Sequence, residues 1–350
     1  FQPLKLFHLF VIILGSEIKE LYNTKNAMPD DMIDGFVQAY PNIVKKGKNN
    51  RIVLRTKQKD PEKVSLIIGN GSGHEPIAMG FVGEGILDAN IIGDVFTAPS
   101  SDLILEGIKE SYSKSGTILL ISRHEGDVIN GKAACLDAQD EGMDVRPLLM
   151  YDDISSAPKG REEDRRGAAG TIFIYKILGA AAEDNMTIDE LMMLGERVRS
   201  NTRTLGVAIN SGISPITNEE MFSLPKDEVF IGMGVHGEPG VARRKLGTVN
   251  DLVSFMMDRI LEDKEIKPEN NVIVLINGMG GTTLMELYSV FNEVSIYLKN
   301  KKIFNSSPMI GSFSTTQETA GFSISILIPD EIMLKFWRAP HSSPNFPLIL

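Results

Sequence analysis

The stretch Val64-Ser65-Leu66-Ile67-Ile68-Gly69-Asn70-Gly71-Ser72-Gly73-His74-Glu75-Pro76 runs from an apolar segment directly into a glycine-rich turn that contains a histidine. Its first five residues have the length and the side chains of a buried β-strand. The glycines allow a sharp turn in which the backbone approaches a small ligand closely, and the proline fixes where the chain leaves that turn. The pattern therefore predicts a strand end that is built as a binding site, with His74 as its functional side chain.

A second histidine stands in a similar setting further along the chain. The sequence Gly232-Met233-Gly234-Val235-His236-Gly237-Glu238-Pro239-Gly240 overlaps another apolar run, residues 229–235. A histidine most often satisfies a hydrogen bond within a protein core, but a place in a glycine turn at a strand end favours a functional role. We therefore predict that His74 and His236 belong to one binding site.

Short apolar runs alternate with amphipathic stretches through the first half of the chain. We predict an entry helix at residues 32–40, strands at 64–68, 117–121 and 145–151, and helices at 103–113, 131–141, 170–182 and 188–200. Alternation of this kind is typical of a parallel sheet with crossover helices. The second half predicts another sheet, with strands at 205–209, 229–235, 272–276 and 322–328 and helices at 249–261 and 284–298.

The predicted fold class is therefore α/β, with two domains that are each a sheet flanked by helices. The 350 residues and the apolar fraction of 42% are sufficient for two hydrophobic cores. We place the domains at residues 17–200 and 201–350. Residues 1–16 are treated as an extension of unknown role, since their apolar part, residues 6–14, is too short to span a bilayer, which takes about 20 residues.

Charge and cysteine content restrict the possible partners and compartment. The formal net charge of -10 argues against direct binding of nucleic acid, which needs a clustered basic surface. The single cysteine, Cys135, excludes an internal disulfide and favours a reducing compartment, so we expect a cytoplasmic protein that is not bound to a membrane. Nothing beside Cys135 marks it as a nucleophile, and an ordinary buried thiol is expected.

Three further motifs have plain structural interpretations. The glycines at 69–73 match neither the P-loop nor the dinucleotide-binding pattern, so no nucleotide site is expected there. The segment Asn277-Gly278-Met279-Gly280-Gly281-Thr282-Thr283 is interpreted as tight packing between a strand and a helix, with Thr282 or Thr283 as the helix cap. Arg165-Arg166 is interpreted as part of a solvated loop rather than as a site for an anionic partner.

An aspartate closes the loop Ser122-Arg123-His124-Glu125-Gly126-Asp127, which follows a predicted strand. Asp127 is either a functional carboxylate or the N-cap of a helix that begins at Val128, and the two roles are compatible. The loops after Ile68, Ile121 and Val235 all carry glycines. Because ligands in such architectures bind where strands end and loops gather, we predict that these three loops converge.

With these loops in view, the chain resembles the substrate-binding subunit of bacterial dihydroxyacetone kinase, of the kind that depends on the phosphotransferase system. The resemblance covers residues 21–347. It is carried, in matching order and spacing, by Gly71-Ser72-Gly73-His74-Glu75-Pro76, Gly126-Asp127, Gly232-Met233-Gly234-Val235-His236-Gly237-Glu238-Pro239-Gly240 and Leu284-Met285-Glu286-Leu287-Tyr288.

The resemblance implies a site and a chemistry. His236 is expected to add to the carbonyl carbon of dihydroxyacetone and form a hemiaminal, while His74 and Asp127 hydrogen-bond the hydroxyl groups. A neutral imidazole is a competent nucleophile toward a ketone, and the covalent step would select the ketone over glycerol. Gly71, Ser72 and Gly73 would line the ligand, with Gly71 offering its backbone. Asp127 could also serve as a base toward the hydroxyl that attacks a phosphoryl group.

The resemblance also implies the partners. This chain would form a homodimer and bind no metal and no nucleotide cofactor, because a separate partner subunit carries ADP, which a third protein rephosphorylates. The site loop departs from this pattern: where kinase subunits carry Lys-Asn-Tyr-Thr-Gly-Asp, this chain has residues 122–127, which lack the lysine and add Glu125. Phosphoryl transfer needs positive charge around the moving group, and Arg123 restores only part of it. Residues 314–321 also replace a Thr-Ser-Leu-Asp-Met-Ala-Gly-like stretch.

These departures favour a non-phosphorylating ligand sensor, similar to the family's paralogue that co-activates a transcription factor of the kinase operon. The catalytic substrate-binding subunit remains the alternative. A kinase for a longer ketose such as erythrulose is a third possibility. Asp127 is the main argument against the sensor, since a sensor needs no base.

Overall fold

A computed structural model of the protein describes residues 21–57, 60–234 and 240–347. Two mixed sheets are flanked by helices, which confirms the predicted α/β class. The strands of the first sheet lie at or before Met150 and those of the second begin at Thr202. The division into two domains at residue 200 stays a prediction. No helix within the described ranges combines the length and the apolar character needed to cross a membrane.

The first sheet has the strand order β1-β2-β4-β3-β5-β6. Its strands are β1 (Val44–Lys46), β2 (Ile52–Arg55), β3 (Ser65–Ser72), β4 (Ala89–Val95), β5 (Thr117–Ser122) and β6 (Val145–Met150). The four strands β4, β3, β5 and β6 are parallel, and β1 and β2 add an antiparallel edge. The helices of this half are α1 (Met28–Ala39), α2 (Ser101–Ser111), α3 (Glu125–Asp140), α4 (Thr171–Glu183) and α5 (Ile188–Ser200).

The second sheet is largely antiparallel, with the order β11-β10-β13-β7-β8-β9 and with β12 also paired to β10. Its strands are β7 (Thr202–Asn210), β8 (Glu228–Ile231), β9 (Ala242–Lys245), β10 (Asn271–Gly278), β11 (Phe304–Asn305), β12 (Met309–Gly311) and β13 (Ala320–Leu327). Helices α6 (Val249–Asp263), α7 (Leu284–Asn300) and α8 (Glu331–Trp337) complete this half.

Helix α4 is the centre of the largest core, since every residue from Thr171 to Ala182 is buried. Helix α8 packs onto α4: the rings of Phe173 and Trp337 have centroids 5.3 Å apart, and Trp337 is fully buried. Cys135 is buried on α3, as predicted, and burial raises the pKa of its thiol to about 12. The thiol is therefore protonated and unreactive at neutral pH.

The structure corrects the interpretation of one motif and the predicted start of one helix, and it confirms the interpretation of a second motif. Arg165 is only 1% exposed and donates to the Asp263 carboxylate, and Arg166 is ion-paired to Asp153, so the interpretation of a solvated loop is wrong. Thr283 caps α7 in a capping box with Glu286, as one of the two predicted alternatives. Helix α3 begins at Glu125 rather than at residue 131.

Candidate functional site

A cavity of about 410 Å³ lies at the carboxyl ends of β3 and β5. Because parallel strands end at the same edge of a sheet, the loops that follow them gather there. Four chain segments form the walls: Gly71 near the end of β3 with His74 just after it, residues 96–98 after β4, residues 122–127 from the last residue of β5 to the first turn of α3, and residues 166–168 before α4. The predicted convergence of the loops after Ile68 and Ile121 is confirmed.

The third loop, which carries His236, falls in residues 235–239, outside the part of the chain that the structure describes. The residues just before it, Met233 and Gly234, line a smaller cavity of about 30 Å³. This smaller cavity shares five wall residues with the larger one: His124, Arg166, Gly167, Ala168 and Ser314. The chain that leads to His236 therefore reaches a cavity that adjoins the candidate site, while the role of His236 stays a prediction.

His74 is held in one orientation by the second half of the chain. Its side chain is largely buried, and Nδ1 lies 2.8 Å from the carbonyl oxygen of Thr315. A carbonyl oxygen can only accept, so Nδ1 carries the proton, and in the neutral ring Nε2 has the lone pair. The Thr315 amide donates in return to the carbonyl of His74 at 3.1 Å. In the neutral form with the proton on Nδ1, Nε2 is the hydrogen-bond acceptor of the ring.

Gly71 is required by a close approach of two loops. A Cβ atom at this position would lie 2.7 Å from the backbone nitrogen of Thr97, a distance that no side chain tolerates. Ser72 and Gly73 lie in the same turn but line a different cavity, together with residues of α1. Of the three predicted residues of the glycine turn, only Gly71 lies in the wall of the candidate site, and the ligand contacts of all three stay predictions.

Asp127 lies in the first turn of α3 and is one of the residues that line the cavity. The N-cap residue is His124, so the interpretation of Asp127 as the cap is wrong. The structural cause is the earlier start of the helix, which places Asp127 at its third residue. The unpaired N–H groups of a helix N-terminus favour a carboxylate at this point. Asp127 is therefore placed to accept hydrogen bonds from a molecule in the cavity.

Each arginine of the cavity wall is paired with a carboxylate. Arg123 Nη2 lies 3.2 Å from Asp164, and Arg166 Nη2 lies 2.9 Å from Asp153. Glu125 adds an exposed negative charge at the rim. The positive charge of the wall is thus balanced by the protein itself.

Arg166 and Thr315 are functional candidates that sequence reasoning missed. Arg166 donates through Nη2 to the carbonyl of Gly232 at 3.2 Å as well as to Asp153. Gly232 has a positive φ of 73°, and a Cβ there would clash with Ser155 at 2.3 Å. The sequence gives no local signal for the Arg166–Gly232 contact or for the Thr315–His74 contact, because the partners lie 66 and 241 residues apart along the chain.

A buried carboxylate supports the same wall from behind. Asp152 accepts hydrogen bonds from the amides of Ala168 and Gly170, at 2.7 and 2.9 Å, and from the hydroxyl of Thr204. Burial raises the pKa of Asp152 to about 6, against the effect of these hydrogen bonds. Tyr175 also lines the cavity, and burial raises the pKa of its phenol, so its hydroxyl stays protonated. Among the described residues no cluster has the composition of a metal site.

The fold and the site together define a class of protein. Residues 34–345 match the family model of the Dak1 domain, and the chain therefore belongs to the Dak1 domain family. This agrees with the resemblance stated from the site loops.

Three individual proteins of this family are similar to the chain over most of its length. The dihydroxyacetone-binding subunit DhaK of PTS-dependent dihydroxyacetone kinase 1 from Listeria innocua is 37% identical over 324 residues, which are 92% of this chain and 98% of that protein. A solved structure of the dihydroxyacetone kinase operon co-activator Dha-DhaQ superposes with a TM-score of 0.85 at 32% identity, and the match covers 90% of this chain and 97% of that one. The D-erythrulose kinase of Mycolicibacterium smegmatis is 33% identical over 93% of this chain, which spans 56% of that longer enzyme.

Proposed function

We propose that this protein binds dihydroxyacetone in the cavity between β3 and α3 and acts as a non-phosphorylating sensor, a co-activator of a transcription factor of the dihydroxyacetone kinase operon. The observation that carries the sensor role is the charge of the cavity wall. Both of its arginines, Arg123 and Arg166, are paired with aspartates, and Glu125 and Asp127 add further negative charge. A phosphoryl group in transfer needs positive charge around it, and here that charge is already neutralised.

The binding chemistry of the proposal is a reversible addition. A lone pair of the His236 imidazole forms a bond to the carbonyl carbon, and the π electrons of the carbonyl move to its oxygen. That oxygen takes up a proton as the imidazole loses its N–H proton, which gives a neutral hemiaminal. His74 Nε2 and the Asp127 carboxylate accept hydrogen bonds from the ligand hydroxyls. Glycerol has no carbonyl and is expected to be rejected.

The similar proteins support dihydroxyacetone as the ligand but do not distinguish the sensor from the catalytic subunit. The Listeria innocua relative is named as a dihydroxyacetone-binding subunit of a kinase, whereas one of the similar solved structures is that of an operon co-activator. We further propose that the protein forms a homodimer, as the family resemblance implies.

The catalytic subunit is the second candidate, and the place of Asp127 favours it. A carboxylate in the first turn of α3, in the cavity wall, is suited to take the proton of an attacking hydroxyl. In that case a partner subunit that carries ADP/ATP would supply the phosphoryl group to dihydroxyacetone.

One experiment separates these roles. The purified protein is titrated calorimetrically with dihydroxyacetone, glycerol and erythrulose, and is then assayed for phosphorylated product with the ADP-carrying kinase subunit and its phosphodonor chain. The Listeria innocua DhaK subunit serves as the positive control. Binding of dihydroxyacetone without turnover supports the sensor, whereas turnover comparable to the control establishes the catalytic subunit. A clear preference for erythrulose would show that the ligand is a longer ketose than dihydroxyacetone. No binding of any ketone would refute the site.

A further inference from the structure

The side chain of Asn277 organises a segment of backbone beside the candidate site. This residue lies near the carboxyl end of β10 and is 2% exposed. Its Oδ1 accepts hydrogen bonds from the amides of Phe313 and Ser314, both at 2.8 Å, and its Nδ2 donates to the carbonyl of Ser314 at 2.8 Å. Two donors face one end of the amide and an acceptor faces the other, so the partners define its orientation.

The segment that Asn277 holds continues directly into the partner of His74. Thr315, the next residue, accepts the hydrogen bond from His74 Nδ1 through its carbonyl. Its hydroxyl donates to the carbonyl of Glu75 at 2.9 Å, and its amide donates to the carbonyl of His74. One further anchor follows at Thr316, whose amide donates to the carbonyl of Met279 at 2.8 Å. Asn277 is thus linked to the imidazole through two consecutive residues.

We propose that Asn277 is a positioning residue that fixes the Nδ1–H tautomer of His74 by holding the Thr315 carbonyl in place. The tautomer decides what His74 offers to a ligand: with the proton on Nδ1, Nε2 accepts a hydrogen bond from a hydroxyl, whereas the other tautomer would donate one. Dihydroxyacetone presents hydroxyl donors at both ends. The effect on this ligand rests on the proposed function, while the effect on the tautomer does not.

Packing alone does not account for an amide at position 277. An apolar side chain of similar size would leave the amides of Phe313 and Ser314 and one carbonyl without these partners in a buried region, which destabilises the native conformation of that segment. Those groups sit in the stretch that must present the Thr315 carbonyl toward His74. The glycine-rich segment 277–283, interpreted above only as strand-to-helix packing, therefore begins with a residue that acts on the site.

The test uses the full-length protein and the variants Asn277→Ala and Asn277→Asp. The aspartate can still accept the hydrogen bonds from the amides of Phe313 and Ser314. Its second oxygen replaces the Nδ2 donor and faces the Ser314 carbonyl. The tautomer of His74 is read by ¹⁵N NMR at a pH of about 8 or above, where an ordinary imidazole is neutral, and its signals are assigned by their loss in His74→Gln. The matched control is Thr282→Val, which removes the buried hydrogen bonds to Gly321 in the same segment without touching residues 313–315.

We expect the wild type and Thr282→Val to show His74 as the Nδ1–H form. Both Asn277 variants should show a mixture with the Nε2–H form, and the affinity for dihydroxyacetone should fall about tenfold, as expected for one lost hydrogen bond. A wild type in the Nε2–H form, or a folded Asn277 variant that keeps the Nδ1–H form completely, overturns the proposal. If the tautomer shifts in the variants but the wild type binds no dihydroxyacetone, the positioning role stands and the proposed function fails.

Discussion

The guanidinium of Arg166 lies 3.2 Å from the carbonyl oxygen of Gly232 and 2.9 Å from the carboxylate of Asp153. One arginine thus ties the wall of the candidate cavity to the strand end that precedes His236 by four residues. The reverse connection runs from Thr315 to His74. Each half of the chain holds a loop of the other, so both halves are needed to assemble the site.

Removal of the Arg166 connection should weaken ligand binding more than it weakens the fold. For Arg166→Gln we expect a loss of about 10- to 100-fold in dihydroxyacetone affinity, because a partly buried charged hydrogen bond contributes about 1.5–3 kcal/mol. Calorimetry measures the affinity and thermal unfolding measures the stability. Arg259→Gln is the control, since Arg259 is exposed and its contacts, an ion pair with Glu262 and a cation–π contact with Phe255, do not involve the cavity wall. Equal affinities of the two variants would contradict the role of Arg166.

His74 is expected to contribute to binding without being essential for it. His74→Ala should lower the affinity for dihydroxyacetone by about tenfold, the effect of one hydrogen bond to a ligand hydroxyl. The fold should persist, because the backbone hydrogen bond from the Thr315 amide to the His74 carbonyl does not need the side chain. Unchanged affinity in titration calorimetry would remove His74 from the site.

The charge of the loop after β5 should decide whether phosphoryl transfer occurs. Replacement of Ser122 by Lys together with Glu125 by Thr is expected to raise residual transfer activity with the ADP-carrying partner by about tenfold or more, since it adds positive charge where the phosphoryl group would move. The control variant replaces Ser289 by Lys and Glu265 by Thr, which makes the same change in charge at two exposed residues. If the loop variant gains nothing over the control, the charge argument for the sensor is wrong.

Buried Lys176 should make stability depend on pH in the alkaline range. Its Nζ donates to the carbonyl of Phe336 at 2.8 Å, and burial lowers the pKa of the ammonium from 10.5 to about 8. Between these two values the unfolded chain binds more protons than the folded one, so the free energy of unfolding rises with pH. The rise is at most about 3 kcal/mol.

Urea denaturation across this pH range checks the prediction. Lys176→Met should flatten the rise, whereas Lys335→Met, at an exposed lysine paired with Asp184, should keep it. A rise of the same size in Lys176→Met would show that another group titrates.

Local patterns predicted the elements that lie in continuous apolar or amphipathic runs. Helix α5 was predicted with the bounds that the structure gives, Ile188–Ser200, because it has a capping box at its start and a regular apolar face. Strand β4 was missed since Asn90, Gly93 and Asp94 interrupt its apolar residues, although it lies inside the first sheet. Helix α3 was predicted to begin six residues too late because its first turn is polar and contains Gly126.

The site was predictable where a motif carries the chemistry and not where distant segments meet. His74, Gly71 and Asp127 stand in recognisable glycine loops, and the structure places all three around one cavity. Thr315 and Asn277 act through backbone groups and a buried amide, which leave no pattern along the sequence. Their partners become apparent only when the loops are seen together.

The covalent adduct is the central claim, and one spectroscopic measurement tests it directly. Dihydroxyacetone labelled with ¹³C at its carbonyl carbon is added to the wild-type protein and to His236→Ala, and the labelled carbon is followed by NMR. We predict that the wild type converts the ketone signal into that of a bound tetrahedral carbon and that His236→Ala produces no such signal. A bound ligand that keeps its ketone signal, or a tetrahedral adduct that persists in His236→Ala, would contradict the account.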